Sequence, residues 1–252
     1  MSQGFLLFAH NNGEVDYLKL AQICAKRIRK YYDNVLIALV TDEMFESDNF
    51  DYVISTDIDK DNKRTLNNKV QYFHNTSRLD AFRLSPFDET IVIDVDYIVN
   101  SNLLGNYFGS RESFLMGTVN NFYDDREPVL RGMTMKWATT LYFKKDNIAK
   151  AIFNQAMLVK ENYSFYKNIY YFTAQNFRND YAFTIAEHIV KGMSSSVSMP
   201  KINFLASIQD EILEVKGDRF VCLIDNLPCV FTGTDLHFFN KQTIFDFEKD
   251  LI

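Results

Sequence analysis

Three short, uninterrupted apolar runs constrain this chain more than anything else in it: residues 5–9 (FLLFA), 35–40 (VLIALV) and 90–93 (TIVI). A strand with water on one face alternates apolar and polar residues, so a continuous run of this length reads as a strand buried on both faces. Each run ends in a polar stretch: His10-Asn11-Asn12-Gly13, Thr41-Asp42-Glu43 and Asp94-Val95-Asp96. Between the first two, residues 14–32 change to a helical period. Val15, Leu18, Ala21, Ile23, Ala25 and Ile28 form one stripe, and Lys19, Lys26, Arg27, Arg29 and Lys30 supply the wet side. Strands alternating with helices predict parallel pairing through right-handed crossovers. The expected class is α/β, with a Rossmann-like, mostly parallel central sheet flanked by helices.

The rest of the chain continues the pattern less regularly. A weaker strand is expected at 52–55, an exposed polar loop at 57–65 (DIDKDNKRT), and a helix at 77–84 stopped by Pro86. Residues 113–119 and 139–143 read as strands, and 147–161 and 179–191 as helices, the second closed by Gly192. Residues 220–239 read as a hairpin-rich tail turning at Asp225-Asn226 and Gly233-Thr234. Only 9 Gly and 4 Pro interrupt 252 residues and no low-complexity linker divides them, so a single domain over 1–252 is expected.

Composition excludes several classes of function. A net charge of −6 gives no chain-wide attraction to phosphate polymers, which argues against indiscriminate nucleic-acid coating. Cys24, Cys222 and Cys229 lack the close spacing of metal ligands and leave one over from any disulfide, so reduced, mostly buried thiols are expected. The run at 5–9 is far shorter than the ~20 residues that span a bilayer and lacks a basic leader. A cytoplasmic protein without an integral membrane segment is the expectation. The 23 Phe and 14 Tyr are a surplus that either fills the core or lines a groove for sugars and bases.

Chemistry concentrates where the third apolar run ends. Residues i and i+2 of an extended chain project to one side, so Asp94 and Asp96 can face one ion. In open α/β sheets ligands bind outside the carboxyl ends of strands, which is where this pair lies. Two carboxylates suit a hard divalent cation such as Mg²⁺ or Mn²⁺, which commonly also takes oxygens from substrate phosphates. Taken alone, the same two acids equally describe residues that cap backbone amides in a turn.

Residues 77–103 (SRLDAFRLSPFDETIVIDVDYIVNSNL) set the pair in a longer order: a basic helix, a polar turn, an apolar strand, D-x-D, and an apolar-polar tail. This order resembles the core of sugar-nucleotide-dependent glycosyltransferases with the GT-A fold, and most resembles the family of glycogenin and the bacterial lipopolysaccharide galactosyltransferases. The resemblance implies metal-dependent transfer of a sugar from a nucleoside diphosphate donor, a UDP-sugar, to an acceptor hydroxyl with retention. It implies a nucleotide-sugar-binding half over 1–104 and an acceptor-binding half over 105–252.

The same resemblance distributes roles. Asp94 and Asp96 become ligands of Mn²⁺ or Mg²⁺, with Asp94 and Val95 also beside the donor, and Arg78 becomes the basic residue on its phosphate or sugar, with Arg83 as competitor. Residues 234–242 (TDLHFFNKQ) offer His237 as third metal ligand and Lys241 for the diphosphate, although the family's intervening Gly and following Pro-Trp are absent and Gln242-Thr243 stand there. The loop at 8–17 implies nucleobase contacts from His10, Asn11, Asn12 and Tyr17. Asp180, in FRNDYA, matches an Asp that faces the acceptor side of the sugar, and it is the base if the enzyme inverts.

Residues 137–143 (WATTLYF) lack the family's Asn-Ser-Gly, so its sugar-recognition residues do not carry over. Phe5, Phe8, Phe73 and Phe82 are assigned to packing, and Tyr17, Phe238 and Phe239 to the donor site. Residues 120–131 are expected to form a lid or acceptor loop, and 163–172 (YSFYKNIYYF) an acceptor or partner surface. The acceptor stays open among glycan, protein and modified nucleic-acid base. Nucleotidyl transfer and a catalytically inactive, glycosyltransferase-like binding protein are the other readings.

Overall fold

The computed structural model describes residues 1–57, 63–66, 69–72, 76–121, 129–130, 133–170, 176–192, 198–199 and 201–252. The apolar runs become the middle of a sheet. Strand Gln3–Phe8 pairs in parallel with Leu36–Thr41 on one side and Glu89–Ile93 on the other, and Tyr52–Ser55 extends the sheet beyond Leu36–Thr41.

Successive strand side chains point to opposite faces, and here both faces are covered. Phe5, Leu7, Ile37, Leu39, Ile91 and Ile93 enter one core with Leu18, Ile23 and Ile28 of helix Tyr17–Tyr31. Leu6, Phe8, Ala38, Val40 and Val92 enter a second core with Ile152 and Phe153 of helix Asn147–Glu161 and Phe183 and Ile185 of helix Asn179–Val190. Continuous apolar runs are the consequence of this two-sided burial. Crowding is tight at Gly4, where an added Cβ would lie 2.7 Å from the Leu36 carbonyl oxygen and overlap the Phe87 ring.

The sheet continues past Glu89–Ile93 into the second half of the chain. Trp137–Lys144 pairs antiparallel with Glu89–Ile93 and with Phe114–Asn121, and Lys201–Leu205 runs parallel to Phe114–Asn121 and to Leu236–Phe238. Leu236–Phe238 then pairs antiparallel with Tyr97–Ile98, the short strand just after Asp96. Among the described residues this makes one nine-stranded, mostly parallel sheet. A separate antiparallel sheet of Glu211–Lys216, Arg219–Ile224 and Leu227–Thr232 forms the hairpin expected at Asp225-Asn226, both at positive φ, and another at Gly217-Asp218, whereas Gly233-Thr234 makes no hairpin and leads out of this sheet to Leu236–Phe238.

Several expectations are corrected. Arg27, placed on the wet side of its helix, is fully buried. Its guanidinium donates to the carbonyls of Val99 (2.8 Å) and Leu251 (3.1 Å) and to Asn100 Oδ1 (2.6 Å), and lies against the Tyr31 and Phe220 rings. A buried cation is tolerated when each of its nitrogens finds an acceptor, as all three do here. The helix expected at 77–84 is a 3₁₀ turn, Thr76–Asp80, followed by the single α-turn Ala81–Leu84. Of the loop expected at 57–65, residues 58–62 lie outside the described residues and 63–65 belong to an antiparallel pair, Lys63–Leu66 with Lys69–Tyr72. Phe238, the last strand residue, is fully buried in the first core, while Phe239, just past the strand, is 47% exposed.

Residues 122–128 and 131 of the expected lid, Phe73, and residues 171–172 of the aromatic segment lie outside the described residues. The segment's described part is helix Tyr163–Tyr170, where Tyr163, Tyr166 and Tyr170 pack on the second core and Phe165 is exposed. Cys24, Cys222 and Cys229 are free thiols, the first two buried. No described helix is long and apolar enough to cross a membrane.

Candidate active site

Asp94 and Asp96 do not sit on an extended chain. They occupy a turn in which Tyr97 N–H donates to the Asp94 carbonyl at 3.1 Å, and Asp94 N–H is held by the Thr139 carbonyl at 3.0 Å. The turn still brings both carboxylates to one side, while Val95 puts its side chain into the first core. Pairing of Leu236–Phe238 with Tyr97–Ile98 sets His237 directly against Tyr97. His237 Nε2 is 3.1 Å from Asp96 Oδ1 and 3.6 Å from Asp94 Oδ2. One ligand atom from each of Asp94, Asp96 and His237 lies within 4.8 Å of the others.

Two hard oxygens and an imidazole match the ligand preferences of Mn²⁺, and of Mg²⁺ with less help from nitrogen. The residues present therefore fit a divalent cation. Phe204 stacks on the His237 ring at 4.7 Å and 24°, and Thr139 Oγ1 lies 3.5 Å from His237 Nδ1, so the imidazole is held on two sides.

Cations surround these acids. Arg78 pairs with Asp94 and donates to the Ala138 carbonyl at 3.3 Å, and Lys241 Nζ lies 2.9 Å from Asp96 Oδ2. Burial opposes the Asp96 charge more strongly than any single neighbour, but Lys241 and His237 together hold its carboxyl far below the usual range. Burial likewise pulls the Lys241 ammonium down, and Asp96 and Tyr17 outweigh it, so Lys241 is held above its ordinary value. Arg78 is lowered by burial, and among the described residues its Nε has no hydrogen-bond partner. Arg83, the competitor, is a surface residue paired with Asp80.

A cavity of about 170 Å³ is lined by Arg78, Asp94, Asp96, His237 and Lys241 and by the start of helix Asn179–Val190. Asp180 Oδ1 accepts from Ala138 N–H at 2.8 Å and Oδ2 from Arg178 Nε at 2.9 Å. Trp137, Arg178, Phe204 and Phe239 complete the lining. Phe239 apart, sequence reasoning had assigned none of these four. The alternation at 201–204 (KINF) is too short to single out Phe204, and an Arg before a helix start carries no motif.

In the first loop both asparagine side chains are tied to the backbone. Asn11 Oδ1 accepts from Tyr17 and Leu18 N–H at 2.7 and 3.3 Å, and Asn12 Oδ1 accepts from Glu14 and Val15 N–H, so both side-chain carbonyls cap backbone. Asp16 caps the same helix through Lys19 N–H. His10 is buried at the strand end. Burial pushes the Tyr17 phenol up while the Lys241 charge pulls it down, which sets Tyr17 beside the cluster.

No protein-family model matches the sequence, and no curated protein matches it either. Solved structures do share the fold. An active-site mutant of the galactosyltransferase LgtC matches with a TM-score of 0.52 over 72% of this chain and 69% of that one, at 12% identity. This chain has the GT-A fold. Two further GT-A structures match at the same level. The glycosyltransferase GlyE of Streptococcus pneumoniae TIGR4 gives 0.51 at 10% identity over 78% of this chain and 46% of that chain. Mouse xyloside xylosyltransferase 1 gives 0.50 at 12% identity over 78% and 85%. The match thus spans less than half of GlyE. The Asp94, Asp96 and His237 cluster lies at the carboxyl edge of the GT-A sheet, where such folds place ligands.

Proposed function

We propose that the chain is a metal-dependent glycosyltransferase that moves a sugar from a nucleoside diphosphate donor, a UDP-sugar, to an acceptor hydroxyl with retention. The observation that carries this reading is the convergence of Asp94, Asp96 and His237 with Arg78 and Lys241 in one cavity of a GT-A fold. A bound Mn²⁺ or Mg²⁺ would supply Lewis-acid neutralisation of the leaving diphosphate.

The chain's own residues do the rest. Lys241 brings a point charge to the diphosphate as the bond to the anomeric carbon breaks, and its raised pKa keeps it protonated for that task. Arg78 orients the donor, and a donor oxygen supplies the partner that its buried Nε otherwise lacks. Tyr17 and the loop of His10, Asn11 and Asn12 flank the nucleobase, with the asparagine amide nitrogens as donors. The bond from the anomeric carbon to the acceptor oxygen forms on the face the diphosphate leaves, and the acceptor proton passes to the departing phosphate oxygen. Asp180 holds the sugar rather than taking a proton, which suits a carboxylate with both oxygens already engaged. The free thiols suit a reducing, cytoplasmic setting. The acceptor is a glycan, a protein or a modified nucleic-acid base.

UDP release from a panel of UDP-sugars, with and without Mn²⁺, tests the reading. Release that needs Mn²⁺ and is lost in Asp96→Ala supports it. Release of pyrophosphate from a nucleoside triphosphate instead identifies a nucleotidyltransferase.

A further inference from the structure

One cation of the cavity has no task in this reading. Arg178 stands at the N-cap of helix Asn179–Val190, its guanidinium over the Trp137 ring at 4.9 Å and its Nε on Asp180 Oδ2 at 2.9 Å. Trp137 lies 5.7 Å from Phe204, and Phe204 stacks on His237. These rings form a shelf from the metal-ligand end of the cavity to Arg178. Stacking and the Nε contact fix the plane of the guanidinium. Its two terminal nitrogens make no hydrogen bond among the described residues.

Charge decides what this end of the cavity takes. Asp94 and Asp96 balance a divalent cation, with His237 as a neutral ligand. Arg78 and Lys241 balance a diphosphate. Arg178 and Asp180 balance each other. A further charge arriving beside that last pair has nothing to offset it, and like charges meeting in a confined site are strongly disfavoured.

We propose that Arg178 determines donor specificity: with Asp180 it forms a neutral pair that reads neighbouring hydroxyls of an uncharged sugar and rejects an acidic one. The inference rests on the glycosyltransferase reading. A terminal guanidinium nitrogen donates to one hydroxyl oxygen, and a remaining lone pair of Asp180 accepts the proton of the next hydroxyl. A uronate carboxylate can meet Arg178 there only by also lying against Asp180, and an amino sugar's ammonium can meet Asp180 only by also lying against Arg178.

Calorimetric titration with Mn²⁺ present compares UDP, UDP-glucose, UDP-galactose and UDP-glucuronate on the wild-type chain and on Arg178→Gln and Asp180→Asn. The wild type is expected to favour a neutral sugar nucleotide over UDP-glucuronate by about tenfold or more, the scale of a hydrogen bond to a charged group. Arg178→Gln should lose most of the gain in affinity of the neutral sugar nucleotide relative to UDP. Asp180→Asn, which leaves Arg178 uncompensated, should shift the ranking toward UDP-glucuronate, and it keeps the test open if Arg178→Gln fails to fold. A ranking that neither substitution changes overturns the proposal, as does a wild-type preference for UDP-glucuronate. If UDP with Mn²⁺ does not bind, or Asp96→Ala leaves that binding intact, the glycosyltransferase reading fails first and takes this inference with it.

Discussion

The buried hydroxyl of Tyr97 donates to Asp235 Oδ2 at 2.8 Å, joining the turn that carries Asp94 and Asp96 to the strand that carries His237. Asp235 Oδ1 takes Asn100 N–H at 2.7 Å and the Ser101 hydroxyl at 2.9 Å, so a single carboxylate gathers the segment after the acids. Burial pushes its pKa up, and these three donors pull it back toward the charged form.

This clamp should set metal affinity. Groups that orient metal ligands are worth roughly 10–100-fold in affinity. Tyr97→Phe removes one donor at constant shape and is expected to weaken Mn²⁺ binding several-fold, with Asp235→Ala costing more. Titration of the free Mn²⁺ electron paramagnetic resonance signal measures it. A folded Asp235→Ala chain with wild-type Mn²⁺ affinity would refute the link.

Lys241 and Asp96 should separate kinetically. Lys241→Met removes a charge from the diphosphate and is expected to lower kcat/KM by about ten- to a hundredfold while Mn²⁺ still binds. Asp96→Ala should abolish both Mn²⁺ binding and turnover. Steady-state UDP release beside Mn²⁺ titration distinguishes the two.

Arg27 should matter to stability rather than to turnover. Arg27→Met keeps much of the volume and leaves the Val99 and Leu251 carbonyls without their donor, while Asn100 Oδ1 keeps only the Tyr31 hydroxyl at 2.8 Å. An unsatisfied buried group costs ~1–3 kcal/mol, so for two carbonyls a loss of about 2 kcal/mol or more is expected in urea unfolding.

Alkaline pH should destabilise the fold through its buried thiols. Burial pushes the Cys222 thiol up to about 12, above its ordinary value of 9.0, and raises Cys24 further. A folded-state pKa above the unfolded one favours folding fully below pH 9 and loses that contribution as pH climbs toward 12. Urea midpoints should fall over that interval, and the fall should be shallower in Cys222→Ala. Equal slopes for the two chains would contradict the assignment.

Much of the parallel half of the sheet was legible in the chain itself. The runs at 5–9, 35–40 and 90–93 have no polar partner face, and the structure answers with two cores, one on each side. The place of Asp94 and Asp96 followed from the third run, because local pattern reports where a strand ends. Arg27 was misread for the complementary reason. Charge predicts exposure until distant carbonyls supply partners, and the carbonyl of Leu251 lies 224 positions away.

Local pattern in the chain thus marks which segments must be buried on both faces and that two carboxylates stand at the end of one of them. Only the tertiary structure decided that His237, 141 residues from Asp96, meets it at 3.1 Å, that Arg78 rather than Arg83 enters the cavity, and that Arg178 lies over Trp137. The physical reason is range. Periodicity records how each residue meets solvent within its own strand or helix, whereas which polar groups end up together depends on strand order, and strand order is settled by how the whole apolar surface is covered at once.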